Sequence, residues 1–369
     1  MKKKYIYILS AVLLVFISSY FLKNTIKFMA FNWFFAQHLE EKLEQSYEPL
    51  TESKNILKSN ENVTYQLNNP GIINFQLFPR TVQLKKEKKE ENETTIENTK
   101  PFAMLLLGED ARGKEQGRSD SIILSIIRPS DLKVLLLSIP RDTYVKIPGR
   151  RGKDKINHAF AFGGVKLAKD TVEHFFDISI HNYAKINFYG FKQLVNALGG
   201  ISLAVEKDLI KYTYSGAEII VVGGKESYNG EEALQFARFR SDSQGDFGRM
   251  ERHQEVLIAI IEEAKKPSNI TKLFDVIEII GENLKTDMKP YMIKELANLY
   301  LKSENPQIQT YTLKGIPSNN NPQKIWYDYV NETEYTKVKT MIDEWLNSDT
   351  SEDELIKYFK EEKVSPVSQ

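Results

Sequence analysis

The sequence predicts an α/β fold, a three-layer α/β/α sandwich around a mixed central sheet, preceded by an N-terminal transmembrane helix. Short apolar runs alternate with segments of helical spacing, and a long uncharged run follows the first four residues. Alternating strands and helices are typical of a sheet that is buried between helical layers. With 369 residues, 41% of them hydrophobic, the chain can bury a sizeable core.

The anchor is predicted from residues 5–22, which contain no charged side chain and follow three lysines. Such a run can cross the hydrocarbon core of a bilayer. The lysines favour a cytoplasmic N-terminus, which places everything after Lys23 outside the cell. A cleaved signal peptide is the alternative, but no small-residue cleavage site follows the run. Residues 1–23 are therefore interpreted as a cytoplasmic leader and a single-pass anchor in the cell membrane.

The rest of the chain divides by composition. Residues 24–100 are predicted to form an extracytoplasmic stalk and a linker, which is highly charged over 84–100. An aromatic-rich part of the stalk, residues 28–43, fits a helix at the membrane surface or a plain stalk helix. Residues 101–348 are expected to form the folded domain, and residues 349–369 a polar C-terminal tail.

Within that domain, apolar runs predict strands at residues 102–107, 121–127, 134–139 and 201–205. A Pro-Ser-Asp turn signal at 129–131 separates the second strand from the third. Helical spacing covers residues 156–176, 188–198, 231–238, 247–264, 270–283, 290–302 and 332–347.

Composition excludes several classes of function. Lys+Arg and Asp+Glu both number 50, so no global positive field attracts nucleic acid. The absence of cysteine excludes disulfides and thiolate metal sites, and the five histidines lack metal-ligand spacing and are interpreted as structural. Residues 108–114 have the glycine spacing of a P-loop, but Glu115 stands where Ser or Thr is required. Neither a G-x-S-x-G elbow nor an H-E-x-x-H pair occurs.

The arginines indicate where the chemistry lies. All eleven fall between Arg80 and Arg252, whereas lysines occur throughout. Confining arginine to one region of a lysine-rich chain suggests sites that need a planar, bidentate fork. Phosphate and pyrophosphate oxygens match that fork. Surface ion pairs are the alternative interpretation, but several of these arginines lie beside strand ends and glycines.

Two aspartates share this region. Asp110 follows the first strand, Asp120 immediately precedes the second, and Arg141 follows the third, so strand ends bring these residues towards one site. Two carboxylates would repel a diphosphate unless a cation lay between them, which suggests that Asp110 and Asp120 bind Mg²⁺. Simple pairing of each aspartate with an arginine is the alternative. Asp246 precedes a predicted helix and is interpreted as its N-cap.

Four further arginines fall in two pairs. Arg238 and Arg240 are predicted on one side of an extended segment, where side chains alternate with period two. Arg249 and Arg252 are three residues apart on a predicted helix and therefore share a face.

Seven ordered blocks resemble the LytR–CpsA–Psr family of Gram-positive cell-envelope proteins. They are LLLGEDAR, GRSDSIILSI, LLLSIPRDTYVKIPG, KINHAFAFGG, LVNALGGISLAV, YNGEEALQFARFRSD and GDFGRMERHQ, within residues 102–265. Ser121 and His253 depart from the usual threonine and glutamine of the family.

The resemblance implies an extracytoplasmic phosphotransferase that moves an anionic glycopolymer, such as teichoic acid or capsule, from an undecaprenyl-pyrophosphate carrier onto peptidoglycan. It implies Mg²⁺ or Mn²⁺ as cofactor, an apolar tunnel for the polyprenyl chain, and membrane lipid rather than nucleic acid as a partner. By the same resemblance, Asp110 and Asp120 are metal ligands, and Arg141 acts with them in catalysis. The pyrophosphate contacts are Arg112, Arg118, Arg141, Arg238, Arg240, Arg249 and Arg252.

Two other functions use the same residues. A polyprenyl-pyrophosphate pyrophosphatase would use water as the acceptor, and a membrane-anchored regulator would bind polyprenyl phosphate without chemistry. Turnover in the absence of peptidoglycan distinguishes the first, and metal-dependent turnover distinguishes an enzyme from the second, which would show no turnover.

Overall fold

The computed structural model describes residues 44–50, 100–110, 117–213, 216–240, 245–266, 283–302 and 307–360. The chain divides into two compact units, residues 1–49 with 95–369, and residues 50–94. All described residues except Leu50 belong to the first unit.

The elements are named in chain order. The strands are β1 (Phe102–Asp110), β2 (Arg118–Arg128), β3 (Lys133–Ser138), β4 (Tyr144–Lys146), β5 (Lys153–Lys155), β6 (Asn182–Asn187), β7 (Leu209–Thr213), β8 (Gly216–Val221), β9 (Leu284–Thr286), β10 (Gln307–Thr312), β11 (Ile316–Ser318) and β12 (Tyr327–Tyr329). The helices are α1 (Ile156–Phe176), α2 (Phe188–Leu198), α3 (Gly230–Arg238), α4 (Gly245–Lys265), α5 (Pro290–Lys302), α6 (Glu332–Leu346) and α7 (Glu352–Lys360).

Six strands form a central sheet in the order β10-β3-β2-β1-β6-β9. Strand β2 is antiparallel to both of its neighbours, β1 and β3. Strand β6 lies parallel to β1, and β10 lies parallel to β3. The predicted α/β fold with a mixed central sheet is therefore confirmed.

Both faces of the central strands are covered. Leu105, Leu124 and Leu137 are in register on adjacent strands, and all three are fully buried. Because side chains alternate along a strand, the neighbouring Leu106 and Ile123 face the other way, beneath α2, α3 and α4. Helices α1 and α6 also contact β2.

A buried glutamine fixes α4 to the sheet. The Gln254 side chain donates hydrogen bonds from Nε2 to the carbonyl oxygens of Leu136 (3.2 Å) and Tyr311 (2.8 Å) and to Ser138 Oγ (2.9 Å). These acceptors lie on β3 and β10. The helix that bears Arg249 is thereby held in a fixed position against the sheet.

The strand predicted at residues 201–205 is absent. Ile201 forms one isolated bridge with Tyr228, and Leu203 and Val205 instead pack in a cluster with Val195 and Phe236. The apolar pattern therefore indicated burial, which an irregular segment can also provide. Strands β6 and β10 were not predicted, since their alternating polar residues gave no continuous apolar run.

The predicted polar tail also differs from the structure. Residues 352–360 form α7, in which Leu355 is fully buried and accepts a hydrogen bond from Trp345 Nε1 (3.2 Å). Leu355 and Tyr358 are three residues apart, so they present one apolar face to α6. The acidic composition of this segment concealed that face.

The predicted boundary at residue 101 lies too late in the chain. Glu48 donates its backbone N–H to the carbonyl of Thr286 in β9 (2.7 Å) and accepts from Tyr183 Oη (2.7 Å). Residues 44–49 thus pack at the edge of the central sheet, because main-chain hydrogen bonds join them to β9.

The predicted anchor, residues 5–22, lies outside the described ranges, as does nearly all of the predicted helix at 270–283. Within the described part of the chain, no helix combines the length and apolar character that a bilayer crossing requires.

Candidate active site

Several of the predicted site residues lie at one edge of the central sheet. Since β1, β3 and β6 run in the same direction and β2 runs against them, the carboxyl ends of those three strands meet the start of β2. Asp120 is the third residue of β2, and Arg141 follows β3 by three residues. Phe188 follows β6 directly. Ligands of α/β sheets bind at such an edge.

A cavity of about 350 Å³ opens at this edge. Five residues predicted from the sequence line it together, namely Asp120, Arg141, Arg238, Arg240 and Arg249. The other lining residues are Gly108, Ser121, Phe188 and His253. Four guanidinium groups from three separate segments thus converge on one space.

Arg141 is held by two carboxylates. Its Nη1 donates to Asp120 Oδ1 at 2.8 Å, and its Nε lies 3.5 Å from Asp142 Oδ2. Asp142 is paired in turn with Lys155 Nζ at 2.7 Å. Burial lowers the pKa of Arg141, but the hydrogen bond and charge of Asp120 and the charges of Asp142 and Asp246 raise it above the ordinary value. The Arg141 guanidinium is therefore always charged.

Asp246 organises the other side of the cavity. It accepts from Arg249 Nη2 at 2.9 Å and lies 3.5 Å from Arg240 Nε. It belongs to the first turn of α4, whereas the sequence placed it just before the helix. Burial raises the pKa of Asp246 despite the nearby Arg141 and Arg240.

The residues that line the cavity carry more positive than negative charge, with four arginines and one carboxylate, that of Asp120. Burial is the largest cause that lowers the pKa of Arg240; the neighbouring charge of Arg141 lowers it further, and the charges of Asp246, Asp120 and Asp142 oppose the shift. The buried Nε atoms of Arg141 and Arg249 find no hydrogen-bond acceptor among the described residues. An anionic ligand with several oxygens would supply acceptors and relieve the repulsion.

Arg238 and Arg240 both reach the cavity, but by a different geometry from the extended segment predicted. Arg238 is the last residue of α3, and the chain becomes extended at Phe239 (φ −63°, ψ 139°). The Arg238 guanidinium lies over the Phe188 ring, 5.0 Å from its centroid. This aromatic contact holds the fork at the border of the cavity.

Arg252 is not brought into this cavity. Its Nη2 donates to the carbonyl of Phe239 at 2.6 Å, and its guanidinium lies 5.5 Å from the Phe239 ring centroid. It lines a separate pocket with residues 204–209. A spacing of three places Arg249 and Arg252 about 60° apart around a helix, which is enough here to direct them to different cavities.

For the first aspartate loop the structure gives the backbone only. Asp110 and Arg118 are paired across β1 and β2, so the main chains at these two positions are adjacent. Asp120 follows two residues later at the cavity. Arg112 lies outside the described residues.

His253 was interpreted as structural, yet it lines the cavity. Burial lowers its pKa to about 4, against the ordinary 6.5, so the imidazole is neutral at physiological pH. The signal in the sequence was its spacing of four from Arg249, which places both on one face of α4.

An almost wholly apolar cavity of about 230 Å³ adjoins the charged one and shares Gly108, Ser121, Phe188, Arg238 and His253 with it. Farther along the sheet, a second apolar cavity of about 450 Å³ shares Leu106 and Leu257 with the first. A Cβ at position 108 would lie 3.0 Å from Ser121 Cβ, so a side chain there would crowd a residue that lines both cavities. Apolar space thus extends from the arginines along the inner face of the sheet.

No group of three His, Cys, Asp or Glu side chains suited to a metal occurs among the residues that the structure describes. Asp120 does offer carboxylate oxygens at the cavity, and the backbone of Asp110 lies at the same edge. Oxygen donors of this kind fit Mg²⁺, which is bound through one or two carboxylates and substrate phosphates.

Known proteins are similar to this chain in sequence and in fold. A family model described as the LytR_cpsA_psr family matches residues 73–344. A protein of Enterococcus faecalis named polyisoprenyl-teichoic acid–peptidoglycan teichoic acid transferase TagU is 35% identical over 266 residues, covering 71% of this chain and 85% of that protein.

Two solved structures are similar in fold. Bacillus subtilis TagV has a TM-score of 0.58 at 34% identity, covering 67% of this chain and 97% of that one. TagT bound to LI-WTA has a TM-score of 0.57 at 32% identity, covering 68% and 92%.

Proposed function

The chain belongs to the LytR–CpsA–Psr family, and we propose that it transfers an anionic glycopolymer from an undecaprenyl-pyrophosphate carrier onto peptidoglycan. The polymer in this proposal is a teichoic acid, a capsular polysaccharide or a similar anionic glycopolymer. One observation carries the proposal: a cavity lined by four arginines adjoins a cavity that is almost wholly apolar. A lipid with two phosphates on a polyprenyl tail has the same two parts in the same order.

The arginines bind and orient the diphosphate in this proposal. Arg141, Arg240 and Arg249 approach from different segments, so their forks can contact oxygens on both phosphates. Bidentate contacts fix the direction of the phosphorus–oxygen bonds as well as neutralising charge. Arg249 is 2% exposed, so its charge acts where water screens it least.

The reaction is a phosphoryl transfer. A hydroxyl of peptidoglycan attacks the phosphorus on the polymer side, forming a new oxygen–phosphorus bond and releasing its proton, which the departing undecaprenyl phosphate can take up. The bond from that phosphorus to the bridging oxygen breaks, and undecaprenyl phosphate leaves with the electron pair. The guanidinium groups stabilise the negative charge that develops on the departing phosphate. Neutral His253 can donate or accept a hydrogen bond there without adding charge.

We propose Asp110 and Asp120 as the residues that hold Mg²⁺ or Mn²⁺. Such an ion withdraws charge from the diphosphate. Support comes from the carboxylate of Asp120 at the cavity and from the adjacent backbone of Asp110. Arg112 and Arg118 are proposed as further phosphate contacts on the same loop.

The topology that fits this role is a single-pass anchor at residues 5–22 with a cytoplasmic N-terminus. The lysine leader supports that orientation. The three-layer arrangement, with helices over both faces of the sheet, would enclose the lipid tail on the face that bears the apolar cavities. The folded unit then acts on the outer side of the membrane, where the acceptor lies.

The test is a transfer assay with full-length protein in detergent, a lipid-linked donor and un-crosslinked peptidoglycan oligomers. Asp120→Ala and Arg141→Ala are expected to abolish transfer, with melting temperatures close to the wild type. Arg151→Ala removes an exposed arginine elsewhere and should transfer normally. Full activity in both cavity variants would refute the assignment. Equal turnover without peptidoglycan would show a pyrophosphatase instead.

A further inference from the structure

Three tyrosines form a cluster next to the arginine cavity. Tyr144 lies in β4, and Tyr327 and Tyr329 lie in β12. The ring of Tyr144 is centred 4.7 Å from that of Tyr327 and 5.1 Å from that of Tyr329. All three side chains are half-buried, so each ring keeps an accessible part. We call this cluster the tyrosine platform.

The platform has a basic border. Lys153 Nζ lies 5.8 Å from the centroid of the Tyr144 ring, and Lys155 Nζ lies 5.9 Å from that of Tyr327. Lys153 is exposed. Aromatic faces beside ammonium groups suit a ligand that offers both apolar ring faces and carboxylates.

A short series of contacts joins the platform to the catalytic arginine. Lys155 also pairs with Asp142 at 2.7 Å, and Asp142 lies 3.5 Å from Arg141 Nε. Asp328, between the two tyrosines of β12, donates its backbone N–H to the Asp142 carbonyl at 2.9 Å. Lys155 and Asp142 therefore link the platform to Arg141, which lines the cavity.

Main-chain contacts, as well as the three rings, join β12 to the segment around β4. The main chain already joins the two segments, through the bridge between Thr143 and Asp328 and the hydrogen bond to Asp142. Fully buried Thr143 anchors the same turn by donating from Oγ1 to the Pro140 carbonyl at 2.6 Å. Three partly accessible tyrosines are not required for that pairing, which leaves their accessible faces to be explained.

We infer that the tyrosine platform binds the sugar rings of the peptidoglycan acceptor and directs its hydroxyl towards the arginine cavity. This inference rests on the proposed transfer to peptidoglycan. The donor is already held by its diphosphate and its lipid tail. The acceptor has neither, so it needs its own surface within reach of the diphosphate. Hexosamine rings present apolar C–H faces to aromatic rings, and carboxylates of the stem peptides match the exposed Lys153.

The decisive experiment compares Tyr327→Ala, Tyr327→Phe and wild-type protein, each as the full chain in detergent. Soluble un-crosslinked peptidoglycan oligomers and the lipid-linked donor are varied separately. Tyr327→Ala is expected to raise KM for the oligomers about tenfold, as expected for loss of about 1.4 kcal/mol of contact. KM for the donor should stay at the wild-type value, and Tyr327→Phe, which keeps the ring, should behave as wild type.

Two controls separate binding from folding. Tyr212→Ala removes a 73% exposed tyrosine from β7, away from the platform, and should leave both KM values unchanged. Should Tyr327→Ala fail to fold, Lys153→Glu alters only an exposed side chain and is expected to raise KM for the oligomers about threefold.

The outcomes are distinct. An unchanged KM for the oligomers in Tyr327→Ala, or in Lys153→Glu if that variant is needed, overturns the inference. A raised KM for the donor instead would assign the platform to the donor polymer and also overturns it. If the wild type shows no acceptor-dependent turnover, the proposed function itself fails, whatever the tyrosine variants do.

Discussion

Replacing Arg141 by lysine tests whether the site needs a fork or only a positive charge. In the structure, Arg141 uses Nη1 for Asp120 at 2.8 Å, while its buried Nε has no hydrogen-bond acceptor among the described residues. Lysine keeps the charge but cannot hold a carboxylate and a phosphate oxygen in one plane. Loss of one charge-assisted hydrogen bond, about 1.5–3 kcal/mol, predicts a fall in kcat/KM of roughly 10- to 150-fold.

Arg141→Met removes the charge as well and should lower kcat/KM beyond the lysine variant. Neither change should unfold the protein, because Arg141 lines an open cavity at the edge of the sheet and is not part of the apolar core, so water can solvate Asp120 when the guanidinium is removed. The assay is steady-state transfer from the lipid-linked donor, with thermal melting in parallel and Arg151→Lys as the matched control. Wild-type kcat/KM in Arg141→Lys would refute the bidentate role.

Two further predictions concern the neighbouring residues. Ala237→Trp places a large ring in the apolar cavity of about 230 Å³. KM should therefore rise about tenfold or more for a donor with a long polyprenyl chain and little for a donor with a short one. Equal effects on the two donors would contradict a lipid role for that cavity. The pKa of His253 is lowered to about 4 by burial, whereas the unfolded chain binds a proton below about 6.5. The unfolded state therefore gains protons first, and stability falls as pH drops from about 6.5 to 4. His253→Gln should flatten the melting-temperature curve over that interval, and parallel curves for the two proteins would show that His253 does not titrate in this way.

The strands that bear the site could be predicted because their signals are local. β1, β2 and β3 are apolar runs bounded by glycine or by a Pro-Ser-Asp turn, and a charged residue lies at or just beyond one end of each, namely Asp110, Asp120 and Arg141. Their pairing then places Asp120 and Arg141 at one edge. By contrast, β10 pairs with β3 across more than half of the folded domain, and its alternating pattern does not identify that partner.

Helical periodicity did not distinguish which of Arg252 and His253 would reach the cavity. The sequence placed Arg249 and Arg252 on one face of a helix, but the cavity admits only a narrow angular range. The angular position of α4 is set by Gln254, whose three acceptors come from β3 and β10. Those acceptors are remote in sequence, so the helix pattern alone could not show that His253, rather than Arg252, reaches the cavity.

The tyrosine platform could not be predicted from the sequence, for a similar reason. Tyr144 is separated from Tyr327 and Tyr329 by more than 180 residues. Only the docking of β12 beside β4 brings the rings together. No local pattern identified these tyrosines as neighbours of Arg141.

In the proposed function, the arginine cavity and the apolar cavity together hold a polyprenyl diphosphate. Mass spectrometry of lipid retained by the purified full-length chain, after incubation with polyprenyl diphosphate and removal of excess, tests it most directly. We expect about one lipid per chain in the wild type, and little in Arg141→Met or Ala237→Trp. No retained lipid in the wild type, or equal retention in all three proteins, would contradict the account.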